Sequence, residues 1–195
     1  MRAMAVAVSL LFVLIPNLAT GQTPTAAAAS SDTGREGRQR LSLQVAAGPT
    51  LVSGGNSLSA AFGYSPASRL ELRLNVERAH LPFQLQRFSD GYSATRGGTM
   101  TFVSGEVRLS LLPADRVSPF AMAGGGGGVS RPTVNAEFPD GVRNDLRVLY
   151  FGGGVRVPLR RGFSLWGDAR AILALESNDG IMAVWPVRAG VAWRF

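Results

Sequence analysis

The sequence predicts an all-β chain folded as an eight-stranded antiparallel up-and-down transmembrane β-barrel. Three observations carry that expectation. Over residues 41–195 apolar side chains recur with period two, the spacing that sends alternate residues to opposite faces of a sheet, and helical spacing is hard to find. Gly and Pro are frequent, 24 and 11 of 195 residues, and both disfavour helix. The faces opposite the apolar ones carry charges interspersed with Gly, Ala and Ser, a mixture that suits a crowded interior better than a solvated surface.

Residues 1–21 stand apart from this pattern. Arg2 gives a positive start, residues 3–15 are apolar apart from Ser9, and Pro16 and Asn17 break the run. Ala19 and Gly21 supply small residues before a cut after Gly21, the order of a secretory signal. Thirteen residues fall short of the roughly 17–25 that a spanning helix needs. Residues 22–40 contain Thr, Ala, Ser, Gly and Arg with almost no large apolar side chain, and are expected to form a disordered tail.

Eight strands are then expected at about 41–49, 57–65, 69–79, 99–111, 119–130, 146–157, 163–175 and 181–195. Leu41, Leu43 and Val45 oppose Ser42 and Gln44. Leu58, Phe62 and Tyr64 oppose Ser59, Gly63 and Ser65. Leu70, Leu72, Leu74 and Val76 oppose Glu71, Arg73, Asn75 and Glu77. Val103, Val107, Leu109 and Leu111 oppose Ser104, Glu106, Arg108 and Ser110. Strand 119–130 is too rich in Gly to fix its faces. Leu149, Phe151, Val155 and Val157 oppose Tyr150 and Arg156. Phe163, Leu165, Ala169, Leu173 and Leu175 oppose Ser164, Trp166, Asp168, Arg170, Ile172 and Glu176. In the last strand Ile181, Trp185, Val187, Val191, Trp193 and Phe195 oppose Met182, Val184, Arg188 and Arg194. Short Pro- or Arg-bearing connections follow strands two, four and six. Residues 81–98 and 132–145 are expected as long polar loops.

A soluble sandwich also alternates, with its apolar face inside. The inverted arrangement is favoured here because aromatics collect at the ends of the apolar faces. Tyr64, Phe120, Phe163, Trp193 and Phe195 would lie at one rim, as in a membrane-interface girdle. Tilted strands of about 9–11 residues suffice to cross the hydrocarbon. Composition narrows the chemistry. The chain has no Cys and one His, His80, which excludes disulfides, thiol catalysis and a His-built metal site. Its formal charge is +7, all of the basic residues being Arg. They are scattered apart from Arg160 and Arg161, so no nucleic-acid stripe is present.

The terminal Val191-Ala-Trp193-Arg-Phe195 resembles the C-terminal assembly signal of bacterial outer-membrane β-barrels. The segments Pro119-Phe-Ala-Met-Ala-Gly-Gly-Gly, Phe151-Gly-Gly-Gly-Val-Arg-Val-Pro-Leu and Gly162-Phe-Ser-Leu-Trp-Gly-Asp-Ala-Arg170 are similar to the later strands of small barrels of the OmpA and OmpX type. The resemblance spans residues 41–195. It implies export to the bacterial outer membrane and insertion by the outer-membrane assembly machinery, with Val191, Trp193 and Phe195 as the signal. It also implies both termini in the periplasm, and contact with outer-membrane lipid and lipopolysaccharide. No peptidoglycan-binding domain follows Phe195, so that anchoring role is not expected.

Other motifs are weaker. Gly124 to Gly128 lacks the Lys-Ser/Thr of a phosphate loop; a strand whose missing side chains leave interior room is the simpler expectation. Some barrels of this kind are lipid A deacylases, which place Ser two residues after His, whereas Pro82 stands there after His80. Glu137, Asp140 and Asp145 are too dispersed for calcium. Arg160 and Arg161 are expected in a solvated periplasmic turn. Phe83, Phe88 and Tyr92 with Arg87 and Arg96 are expected either to cap the mouth or to bind a surface partner. No cofactor is expected.

The polar faces gather Glu71, Glu77, Glu106, Asp168 and Glu176 with Arg73, Arg108, Arg156, Arg170, Arg188 and Arg194. Eight strands enclose a lumen only wide enough for side chains, and five acids against six Arg approach balance there. The last hairpin is expected to bring Arg188 to Asp168, with Glu106 and Arg108 in the same layer. The expected role is structural or surface-interactive, non-catalytic, with the lumen plugged by these charges. A narrow channel or carrier of small hydrophobic molecules, and a barrel-rim lipid-modifying enzyme, are the alternatives.

Overall fold

A computed structural model describes residues 41–195 apart from 52, 89–90, 113–115, 134–142, 161 and 178–179, with backbone only for 83–88 and 92–96. The expected signal and tail, residues 1–40, lie outside the described residues, as do Glu137 and Asp140.

Eight strands form in chain order: β1 (Leu41–Leu51), β2 (Asn56–Ala67), β3 (Leu70–Phe88), β4 (Gly91–Ser110), β5 (Ser118–Pro132), β6 (Asn144–Pro158), β7 (Phe163–Glu176) and β8 (Ile181–Arg194). Each pairs antiparallel with the next, and β1 pairs with β8, so the sheet closes on itself. Closure removes the unpaired edges that an open sheet would present to solvent or lipid. One end of the barrel carries Leu41 and Phe195, which exchange backbone hydrogen bonds of 3.1 and 3.3 Å; it is called here the terminal end. The other is the hairpin end.

Two features differ from expectation. Residues 81–98 are not a polar loop: β3 and β4 continue through them as a paired ladder to Phe88 and Gly91. Alternation continues there, with Leu81, Phe83 and Leu85 against Pro82, Gln84 and Gln86, but on the parity opposite to Leu72, Leu74 and Val76, so the apolar pattern breaks at Arg78 and hides the extension. The hairpin bends across the mouth, since Gln86 and Arg87 of β3 pair with Met182 and Ile181 of β8. Its base crowds neighbouring backbone: a Cβ on Gly97 would strike the Leu81 carbonyl.

The second difference concerns β5. Register against Ser110 of β4 turns Phe120 inward, and it is 4% exposed. Phe120 therefore does not belong to the aromatic girdle. The glycines of β5 and β6 make room for such interior rings. A Cβ on Gly124 would lie 2.6 Å from the Tyr150 ring and hydroxyl, and one on Gly154 would lie 2.7 Å from Phe120 Cζ.

The interior has two layers. Toward the hairpin end Leu81, Met100, Phe102, Leu146, Val148, Ile172, Met182 and Val184 are all buried in one apolar cluster. Toward the terminal end the interior is charged, with Phe120, Met122 and Trp166 among the charges.

Candidate functional site

The charged layer is built by cross-strand register. Asp168 and Arg188 are direct partners on β7 and β8, and their inward faces bring the side chains together. The Arg188 guanidinium grips the carboxylate with both arms, Nε to Oδ1 at 3.0 Å and Nη2 to Oδ2 at 2.6 Å. The planar fork of Arg matches a carboxylate in this two-bond geometry. Its remaining Nη1 donates to Ser59 Oγ at 2.7 Å and to Glu77 Oε2 at 3.2 Å. Glu77 also accepts from Arg170 and, at 3.1 Å, from Ser57. Arg170 Nη1 stands 3.8 Å from Glu106. Glu106 accepts from Arg73 Nη1 at 2.5 Å and from the Tyr150 hydroxyl at 3.2 Å, and Arg108 Nε lies 3.6 Å away. The sequence Asp168–Arg188–Glu77–Arg170–Glu106–Arg73 is thus one continuous chain of alternating charge, running through side chains of β7, β8, β3 and β4.

Below it Glu71 accepts from Ser42 Oγ at 2.7 Å and Gln44 Nε2 at 2.8 Å, with Arg194 at 4.0 Å. Trp166 is ringed by guanidinium groups: Arg108, Arg188 and Arg73 lie 4.9, 5.4 and 5.5 Å from its ring, and Arg108 also sits 4.0 Å over Phe120. Such aromatic faces partly replace the water a buried cation has lost. Arg156 is buried, and among the described residues no carboxylate lies within 4.0 Å of it. Glu176 occupies the hairpin end of β7. Pairing and hydrogen bonding offset the cost of burying charge at this density, an offset that Arg156 Nε and Nη2, which have no hydrogen-bond partner among the described residues, do not gain.

The outer face is the inverse. Leu43, Val45, Leu58, Leu74, Val76, Val107, Leu109, Leu149, Phe151 and Leu173 all point away from the barrel and are exposed. At the terminal rim Tyr64, Phe163, Trp193 and Phe195 are exposed, with Phe163 stacked on Trp193 at 6.1 Å and Trp193 tilted against Phe195 at 5.1 Å. Val191 shares that face. A belt of exposed aliphatics edged by aromatics is the surface of a barrel that stands in lipid.

No protein-family model and no curated protein matches the sequence. Solved structures do match its fold. The N-terminal β-barrel domain of Pseudomonas aeruginosa OprF aligns with a TM-score of 0.55 at 13% identity, covering 81% of this chain and 98% of that one. Ail of Yersinia pestis, solved in complex with the heparin analogue sucrose octasulfate, aligns with a TM-score of 0.50 at 14% identity, covering 81% and 99%. The chain has the fold of the small outer-membrane β-barrels.

In this outer-membrane barrel fold the remaining candidates are dispersed. His80 is exposed on the outward face of β3, with Asn56 and Thr99 as its backbone neighbours. Asp145 is exposed on the outward face of β6, and Arg160 is exposed in the turn before β7; Arg161 lies outside the described residues. The side chains of Phe83, Arg87, Phe88, Tyr92 and Arg96 also lie outside them. Sequence reasoning did not single out Ser57, Ser59, Ser104, Tyr150 or Trp166 as interior partners. Their signal was available, since each sits on the inward parity of its strand. Hydroxyl and indole groups there gain meaning only once register shows which charge they face.

Proposed function

We propose that this chain is a bacterial outer-membrane barrel with its terminal end in the periplasm. In this reading its lumen is closed by its own side chains, and it works through its surface, neither conducting solutes nor catalysing a reaction. The observation that supports this best is the buried alternating chain from Asp168 to Arg73 beneath a second, apolar layer from Leu81 to Val184. An ion entering from either side would have to separate paired charges or cross a dry layer, and both are costly. Val191, Trp193 and Phe195 lie outward at the closing strand, where the assembly machinery can meet them. The exposed position of His80, with Pro82 where the deacylase pattern has Ser, speaks against rim catalysis.

Planar-bilayer recording of the refolded barrel tests the proposal. A flat trace, with no resolved unitary conductance, is expected. Stable single-channel steps in the wild type would overturn the closed lumen and restore the channel reading.

A further inference from the structure

The charged half of the lumen is not neutral. The six Arg of the polar faces meet four carboxylates there, Glu71, Glu77, Glu106 and Asp168. Glu176 stands at the other end of β7, where its backbone N–H donates to Gly180. Two positive charges are therefore left over among the described residues, and the hydrogen bonds show where. Arg73, Arg170 and Arg188 each donate to a carboxylate, and Arg194 lies 4.0 Å from Glu71. Arg108 and Arg156 donate to none. Nε and Nη2 of both have no hydrogen-bond partner, although Arg108 Nε is 3.6 Å from Glu106.

These two guanidinium groups share a place with two further unmet donors. Trp166 is the direct partner of Arg156 across β6 and β7, and both face inward. Side chains so placed start about 5 Å apart. Arg108 lies 4.9 Å from the Trp166 ring. Trp166 Nε1 has no hydrogen-bond partner, nor has Ser164 Oγ, two residues nearer the terminal end on the same face. Arg108 lies two residues beyond Glu106 on β4, and Trp166 two beyond Asp168 on β7. The group thus stands between the paired chain and the terminal mouth. Exposure rises toward that mouth, from 1% at Arg108 and 4% at Arg156 to 18% for the Arg194 side chain. Buried donors without an acceptor are costly, and buried cations more so. One carboxylate oxygen nearby, Glu71 Oε2, is also without a hydrogen bond, but its charge already faces Arg194.

We propose that the terminal mouth of the lumen binds a small free oxyanion of the phosphate class, held by Arg108 and Arg156 with Trp166 Nε1 and Ser164 Oγ. A dianion matches the two excess charges. Its several oxygens can accept from two guanidinium forks and two single donors at once, which a halide offers no separate oxygens to do. The depth of Arg108 selects a free ion over the head group of a lipid, whose chains stay on the outer face. The site is blind, opening only toward the terminal end, so it is compatible with a closed lumen. Single-channel recording reports on closure, and ligand titration reports on the site.

The test titrates inorganic phosphate into the refolded, heat-modifiable barrel in a non-ionic detergent, at constant ionic strength, by isothermal calorimetry. Wild type should bind one phosphate per barrel, saturably. Arg108→Gln and Arg156→Gln should each bind at least about tenfold more weakly, the loss expected of a charge-assisted bond. Arg156→Gln removes an unpaired buried charge, so without phosphate its unfolding midpoint in urea should be no lower than that of wild type. Phosphate should raise the wild-type midpoint and leave that of Arg156→Gln unmoved. Arg160→Gln, which removes the same charge from the exposed turn at that end, should bind as wild type. Glu71→Gln should bind more tightly, a neighbouring negative charge having gone. Short-chain phosphatidic acid should not compete with phosphate; competition would move the source to a lipid head group and overturn the free-ion assignment. Absence of saturable binding by the folded wild type would overturn the proposal, water then serving these donors. So would undiminished binding by Arg156→Gln, or an equal loss in Arg160→Gln. Binding that emerges only in Glu71→Gln would overturn it too, because Arg156 would then be held by that carboxylate.

Discussion

The two halves of the interior are made by the same strands and the same alternation, yet they hold together by different physics. In the terminal half directional bonds join Asp168, Arg188, Glu77 and Arg170, and join Glu106 to Arg73, with an ion-pair contact of 3.8 Å between Arg170 and Glu106 linking the two groups. In the hairpin half Leu81, Met100, Phe102, Ile172, Met182 and Val184 pack without a polar bond among them. Directional pairing leaves an unmet charge when one partner is lost, whereas losing one apolar side chain leaves a cavity and no unmet bond. One half is therefore cooperative and intolerant of single losses, and the other degrades in steps.

The largest effect should come from the ionic half. Asp168→Ala leaves Arg188 short of its two-bond partner and should cost about 3–5 kcal/mol, read by urea titration of the heat-modifiable folded band. Asp168→Ala with Arg188→Ala should cost less than the sum of the single changes; simple additivity would break the comparison. Next, Met100→Ala in the apolar half should cost about 2–4 kcal/mol by opening a cavity. Combined with Asp168→Ala it should add its full cost, because the two share no partner. The smallest effect sharpens the boundary between the halves. Tyr150 belongs to both: its hydroxyl is 3.0 Å from Ser104 and 3.2 Å from Glu106, and its ring lies 4.8 Å beneath Arg170. Tyr150→Phe keeps the ring and removes the hydroxyl, and should cost about 1–2 kcal/mol in the same titration.

Strand number, strand parity and the inward position of the charges were legible in the sequence, because period two is strong wherever one face is apolar and the other charged. Arg188 beside Asp168 could be inferred from the length of the last hairpin. The apolar half was not legible. Ile172, Met182 and Val184 sit on the same parity as Asp168 and Arg188, so inward and outward faces are both apolar there and alternation carries no contrast. Phe120 failed for a related reason: a run of glycines has no faces to compare, and only pairing with Ser110 turns that ring inward.

The bent hairpin bears on how the barrel can open. Along the line where first and last strands join, pairing runs from Ser42 with Arg194 to Ala47 with Ala189, and resumes only at Thr50 with Pro186, which has no backbone N–H to give. A closed sheet parts most readily at such an interruption. Gln86 and Arg87 grip Met182 and Ile181 just beyond it, so the third strand acts as a strap over the joint. Lateral release of the last strand at that end then requires the hairpin to lift first. The strap can fasten only once the eighth strand is in place, so its two pairings form after that strand has joined the sheet.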